Sequence, residues 1–153
     1  MRKNMFMGVA LAIIGLTGLG LAARTIAAPQ PPATAPDKHH AMYEACAKVC
    51  ADCMLTCEKT AHHCSELVTA GKKDHAKAMK LTADCAGFCS LAAKMTAGHS
   101  ELAAPACEAC PKACDVCAAE CEKFADMPEM KACAESCRKC AASCREMVKH
   151  GHK

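Results

Sequence analysis

The sequence predicts an all-α fold, an antiparallel up-down-up-down four-helix bundle with a cysteine-lined core. Three observations carry this. Beyond residue 36 the background is rich in Ala, Lys and Glu, which are strong helix formers. Punctuation is sparse, with Gly71, Gly98-His99-Ser100 and Asp126-Met127-Pro128-Glu129 dividing the chain into four long segments. Within each segment the cysteines recur at steps of three and four, which keep returning to one helix face. A conventional core is excluded. From residue 28 onward Ile is absent, and four Val, five Leu, seven Met, two Phe and one Tyr barely outnumber the 16 cysteines.

The first 27 residues read as an export signal. Arg2 and Lys3 form a positive start, Met5 to Ala23 is an uninterrupted run of apolar, Gly and Thr residues, and Thr25-Ile26-Ala27 offers a small-residue cleavage site. Cleavage after Ala27 by the general secretory route is favoured over a twin-arginine signal, because Arg2-Lys3 is not a true twin arginine. An uncleaved anchor is the alternative, since such a run could just span a bilayer. Residues 28–36, with Pro29 to Pro36 reading PQPPATAP, form an extended spacer. The bundle then occupies 37–153. The formal net charge of +3 belongs to the signal, because Arg2, Lys3 and Arg24 have no acidic partner there, and the rest of the chain is neutral. With no basic stripe and no aromatic platform, nucleic-acid binding is disfavoured.

The first helix spans about 37–70 and carries Cys46, Cys50, Cys53, Cys57 and Cys64; Gly71 stops it. The second, about 73–97, carries Cys85 and Cys89 and stops at Gly98. The third, about 101–125, carries Cys107, Cys110, Cys114, Cys117 and Cys121. Pro111 lies inside it and removes the backbone bond to Cys107, which predicts a kink near Cys107–Cys110 or a helix beginning only at Pro111. The fourth, about 127–149, carries Cys133, Cys137, Cys140 and Cys144, with Asp126 and Glu129 reading as a capping box. Lys48, Asp52, Lys59, Glu108, Lys112, Glu122, Glu135 and Arg138 fall on the opposite, solvent-facing sides.

Seven C-x-x-x-C pairs result, 46/50, 53/57, 85/89, 110/114, 117/121, 133/137 and 140/144. Sulfurs at i and i+4 project from one face and can converge on one small ion. Cysteine as a mere small hydrophobe does not account for sixteen seam positions. A disulfide-stapled exported bundle fits the even count, but neighbours within one helix are poorly disposed for bridging. The four C-x-x-C spacings lack a thioredoxin-like setting, a following His for covalent haem, or the loop an iron–sulfur cluster needs. Soft metal ions on thiolates remain, Cu(I) or Zn(II). Cu(I) accepts two or three sulfurs, and about one monovalent ion per thiolate would leave the interior nearly neutral, which divalent zinc would not. Zinc also wants closed tetrahedral sites, usually on short loops.

The run Cys133-Ala-Glu-Ser-Cys137-Arg-Lys-Cys140-Ala-Ala-Ser-Cys144-Arg, with its partner Cys107 to Cys121, resembles the cysteine-rich four-helix-bundle copper storage proteins of bacteria. The resemblance covers about residues 37–149. It implies a bundle, often assembled into tetramers, that fills its core with multiple Cu(I) ions on all sixteen cysteines and acts as a store. The signal resembles that of the exported branch, associated with copper for methane-oxidising enzymes. Pro111 departs from the pattern and bears on the ligand geometry of Cys107 and Cys110.

An up-down-up-down bundle gathers His39, His40, Met42, Met95, His99, Met147, His150 and His152 at one mouth. His62, His63, His75, Met79, Met127 and Met130 fall at the other. Thioether and imidazole bind copper more weakly than thiolate and suit capture and hand-over. The first mouth is the expected metal entry, with His39, Met42 and Met147 foremost. No catalytic constellation is visible, so a non-enzyme is expected. The expected setting is periplasmic, with copper ions as cargo, copper-delivery or copper-accepting proteins as partners, and a homo-oligomer as the assembly. A zinc or other soft-metal buffer and the disulfide-stapled structural bundle are the alternatives.

Overall fold

The computed structural model describes residues 37–150. The expected export signal and its cleavage after Ala27, the expected 28–36 spacer, and His152 all lie outside the described residues. Four helices make up the rest: α1 Lys38–Thr69, α2 Ala76–Ala97, α3 Ala103–Cys121 and α4 Pro128–His150. Single 3-10 turns, Lys73–His75 and Glu122–Phe124, precede α2 and follow α3. α1 and α3 each pack against both α2 and α4. Cys46, near the start of α1, lies 3.9 Å from Cys107 near the start of α3 and 3.9 Å from Cys144 near the end of α4. The directions therefore alternate as the short connections predict.

The helix ends follow local chemistry. Asp37 caps α1, its carboxylate accepting from the His39 N–H at 3.2 Å. At the other end Lys72 N–H reaches Leu67 C=O (2.9 Å) and Gly71 N–H reaches Val68 C=O (3.0 Å), with Gly71 left-handed at φ 92°. This doubly bonded stop is what a glycine one residue past the helix allows. α2 ends on the same two bonds shifted by one residue from the expected place. Ser100 N–H bonds Met95 C=O and His99 N–H bonds Thr96 C=O, so His99, not Gly98, takes the left-handed position at φ 48°.

Two expectations need correction. α3 begins at Ala103 and runs unbroken through Pro111, so a helix starting only at Pro111 is ruled out. Proline removes one backbone bond, but the packing of α3 between α2 and α4 supports the rest of the ladder. The capping box is also displaced. α4 starts at Pro128, whose fixed φ suits a first turn, and Met127 stands in the cap position with its carbonyl accepting from Lys131 (3.0 Å).

All sixteen cysteines are buried, and Ala47, Ala78, Ala86, Ala92, Ala103, Ala118 and Ala141 fill the space between them. Small side chains let the helices approach closely enough for sulfurs on facing helices to meet. The eight charged residues assigned to outer faces are exposed. Outside, Arg138 binds Glu122 (2.9 Å) and Asp115 (3.3 Å), and Arg145 also pairs with Asp115, tying α3 to α4. Exposed pairs of this kind are screened by solvent and contribute little to stability. Glu120 is buried between Lys77 (2.9 Å) and Lys123 (2.8 Å), which joins the start of α2 to the end of α3.

Candidate metal centre

The cysteine sulfurs form one continuous column. Beginning at the α1 N-terminal end, Cys46 meets Cys107 and Cys144, each at 3.9 Å. Cys50 lies 3.4 Å from Cys144 and 3.7 Å from Cys140. Cys89 approaches Cys110 (3.8 Å), Cys114 (3.7 Å) and Cys140 (3.9 Å). Cys85 follows, 3.7 Å from Cys114 and 3.9 Å from Cys137. Cys53 is 3.9 Å from Cys137, and Cys57 lies 3.6 Å from Cys137 and 3.8 Å from Cys133. Cys64 ends the column against Met130 Sδ at 3.6 Å. All sixteen are free thiols, and the closest of these approaches, 3.4 Å, is well beyond the roughly 2.05 Å of a disulfide.

These contacts make overlapping ligand sets. Cys46, Cys107 and Cys144 form a group of three; Cys50, Cys110, Cys140 and Cys144 a group of four. Further groups are Cys53, Cys89, Cys114 and Cys140; Cys53, Cys85, Cys114 and Cys137; and Cys57, Cys117, Cys133 and Cys137. In every group the sulfurs lie within 4.8 Å of one another. Successive groups share sulfurs. Cys144 links the first two, Cys140 the next, Cys53 and Cys114 the next, and Cys137 the last. An ion in one group therefore shares a ligand with an ion in the next. Pro111 does not turn its neighbours away, since Cys107 and Cys110 are fully buried and both face the column.

Crowding sorts the thiols by acidity. Cys53 is held far below the usual thiol range, chiefly by Cys114 and then by Cys137, Cys140 and Cys57 donating to its thiolate. Cys110 is lowered the same way, by Cys114 first. Cys117 falls to about 2, with Cys121 the largest contributor. Their neighbours keep the protons. Cys137 is pushed up by Cys114, Cys117, Cys133 and Cys53, and Cys144 by Cys107, Cys110, Cys140 and Cys46. Burial lifts Cys64. The column thus shares its protons unevenly, and the thiols that keep them must release them when soft cations bind.

At the expected mouth His39 and Met42 are half-buried and line, with Asp37, Lys38 and His150, a cleft of about 480 Å³. Met147 is fully buried beneath the surface, where it plugs the core end. The sequence reading missed the ring stack beside them. Tyr43, buried, lies 4.6 Å from the His39 ring and 5.0 Å from His99, and His40 stacks on His99 at 4.8 Å. The i, i+4 spacing of His39 and Tyr43 was a usable signal; the approach of His99 from the α2–α3 turn was not.

A family model described as copper storage protein matches residues 39–149. Among solved structures, a Cu(I)-bound copper storage protein, BsCsp3, is 33% identical with a TM-score of 0.65, covering 70% of this chain and 98% of its own. A protein from Nitrosospira multiformis is 30% identical with a TM-score of 0.62, covering 71% of this chain and 96% of its own. A cytosolic copper storage protein from Streptomyces lividans, described with five coppers, is 27% identical with a TM-score of 0.66, covering 72% of this chain and 95% of its own. No curated protein sequence matches the chain.

Proposed function

The chain belongs to the copper storage protein family, and from that premise we propose that its thiol column stores multiple Cu(I) ions. The observation that carries the reading is the sharing of sulfurs between successive groups. Isolated sites need no such sharing, whereas a dense row of monovalent ions bridged by thiolates does. Electroneutrality points the same way, because about one Cu(I) per thiolate cancels the charge that burial penalises. All sixteen cysteines are the proposed ligands. His39, Met42 and Met147 are the proposed entry, supported by the cleft beside His39 and Met42. The role is containment, not catalysis.

Groups of four buried sulfurs also suit tetrahedral zinc. Their overlap argues against it, since filling one closed four-thiolate site removes ligands from the next. Titrating the reduced chain with Cu(I) against a chromophoric chelator, and measuring both metals in protein from copper-replete cells, separates the readings. Uptake of many tightly held Cu(I) ions is expected. Uptake of only one or two ions, few reactive thiols, or zinc in excess of copper overturns the proposal.

We further propose export to the periplasm, with residues 1–27 as a signal cleaved after Ala27, 28–36 as spacer and 37–153 as the storage domain. Among the described residues no helix is long and apolar enough to cross a membrane. Sequencing the N-terminus of the periplasmic protein tests this, with Ala28 the expected first residue. A homo-oligomer is proposed as well, the tetramer implied by the resemblance. Phe88, Leu91 and Val116 are exposed apolar residues on α2 and α3 that such an assembly would cover. Copper-delivery or copper-accepting proteins are the proposed exchange partners.

A further inference from the structure

The thiol column holds electrons as well as ligands. Its cysteines are free thiols, and two thiols joined into a disulfide release two electrons. Pairs within one helix, such as Cys46 with Cys50 at 4.0 Å, are poorly disposed for bridging. Pairs across helices are better placed. Among the thiol–thiol hydrogen bonds of the column the shortest joins Cys50 of α1 to Cys144 of α4 at 3.4 Å. The next, Cys57 with Cys137, is 3.6 Å. A bridge between Cys50 and Cys144 asks the two sulfurs to close to about 2.05 Å, within reach of small side-chain rotations.

The pair also lies towards the proposed entry. Cys50 follows Met42 by about two turns of α1, and Cys144 precedes Met147 by about one turn of α4. The cleft at that mouth, with His39, His150 and Asp37, offers nitrogen and oxygen donors. Such donors suit Cu(II), whereas thiolate sulfur selects Cu(I). An ion whose reduced form is held far more tightly than its oxidised form becomes a stronger oxidant. Thiolate groups beside the reducing pair therefore drive electrons from sulfur to copper. The groups built on Cys53 and on Cys57 contain neither Cys50 nor Cys144, and they stay intact to take the products.

We propose that the Cys50–Cys144 pair reduces Cu(II), so that the column takes in cupric ions by converting them to the Cu(I) it binds. Each thiol gives up one electron and one proton. Two Cys–SH groups and two Cu(II) become one Cys50–Cys144 disulfide, two Cu(I) and two protons, which pass to water. The S–S bond forms, both S–H bonds break, sulfur is oxidised and copper is reduced. The reduction rests on the thiols alone; retention of the product ions rests on the storage reading. The bridge withdraws Cys144, the sulfur shared by the first two groups, so an external dithiol must reopen it before that end of the column binds again.

The test mixes the whole reduced, metal-free chain anaerobically with two equivalents of Cu(II) sulfate. Expected are loss of the Cu(II) electron paramagnetic resonance signal, loss of two thiols per chain, and a cross-link between Cys50 and Cys144 in tandem mass spectrometry of the alkylated protein. A Cu(II) signal that persists overturns the proposal. So does signal loss in which the thiols are oxidised at pairs other than Cys50–Cys144. Cys50→Ser and Cys144→Ser should each abolish that cross-link and slow the reduction several-fold, with helicity confirmed by circular dichroism. Cys57→Ser, which removes the 3.6 Å contact with Cys137, should still form it. Reduction at the native rate in both Cys50→Ser and Cys144→Ser overturns the assignment. If the signal is lost and the cross-link forms but desalting strips the copper, the storage reading fails and the reduction stands.

Discussion

Helices α4 and α2 present the same kind of inward seam and fill it oppositely. α4 carries sulfur along its whole inward seam, at Met130, Cys133, Cys137, Cys140, Cys144 and Met147, with only Ala134 and Ala141 buried beside it. α2 carries Ala78, Thr82, Cys85, Cys89, Ala92 and Thr96, with sulfur only in its middle third. Its threonines turn their hydroxyls back onto their own helix, Thr82 onto Ala78 C=O (2.8 Å) and Thr96 onto Ala92 C=O (2.7 Å), so they offer nothing to the column. The difference divides labour. α4 supplies shared ligands from end to end, and α2 supplies small residues that let the other helices close around them.

The largest effect should come from emptying each seam in turn. Replacing Cys133, Cys137, Cys140 and Cys144 with Ser removes three of the five sulfurs that link successive groups, Cys137, Cys140 and Cys144, and the Cu(I) capacity should fall by more than the roughly four ions the lost thiolates balance. Replacing Cys85 and Cys89 should cost only about the two ions their own thiolates balance. Chelator-competition titration of both variants, with helicity confirmed by circular dichroism, reads the difference. Equal loss per cysteine in the two variants would break the idea that α4 is the shared rail.

Proton uptake distinguishes the seams next. Cys137, Cys140 and Cys144 are all raised, Cys140 chiefly by Cys110, so they stay neutral in the metal-free fold. In the unfolded chain they ionise near the ordinary value of 9.0. Above that pH the unfolded state holds fewer protons than the native one, so stability falls as pH rises. The lowered thiols, Cys53, Cys110 and Cys117 among them, act in the opposite sense only below that value, so the urea midpoint of the metal-free protein should decline as pH rises beyond about 9, and that of the α4 serine variant should decline less steeply. For the same reason Cu(I) loading at pH 7 should release protons and weaken as pH drops. A flat midpoint across that range would contradict the raised thiols.

A third effect is smaller and concerns packing. Met130 is fully buried where Thr82 is also fully buried. Met130→Ala should cost about 3 kcal/mol in the metal-free protein, within the range for deleting a long core side chain. Thr82→Ala, which loses only a methyl and a self-satisfied hydroxyl, should cost about 1 kcal/mol. Denaturant unfolding under reducing conditions measures both. Similar costs would mean that α2 is as tightly specified as α4.

Much of this was legible because cysteine marks its own register. Steps of three and four assigned every seam, placed Cys107 and Cys110 inward despite Pro111, and gave four helices to within a few residues. Features that depend on contacts between distant segments were not legible. Nothing local says that His99 would take the left-handed position in place of Gly98, or that it would stack on Tyr43. His75 was grouped with five other residues at its end, Met127 among them, but only the fold brings these two into contact across 52 positions. Pro111 misled for a related reason. Its cost is local, and the support that keeps α3 continuous comes from neighbouring helices.

The smallest predicted effect probes the silent third of the α2 seam. Thr96 is fully buried near the expected entry, and its hydroxyl also approaches Ala93 C=O at 3.2 Å. Both acceptors are carbonyls inside α2, so deleting the hydroxyl leaves no donor stranded elsewhere. Thr96→Val keeps the shape, and stability should change by less than about 1 kcal/mol. Cu(I) capacity and loading rate should be unchanged as well, because a hydroxyl turned onto its own backbone neither binds the ion nor wets its path. A slower loading rate in this variant, at unchanged capacity, would show that α2 assists passage after all and would bring its seam closer in role to that of α4.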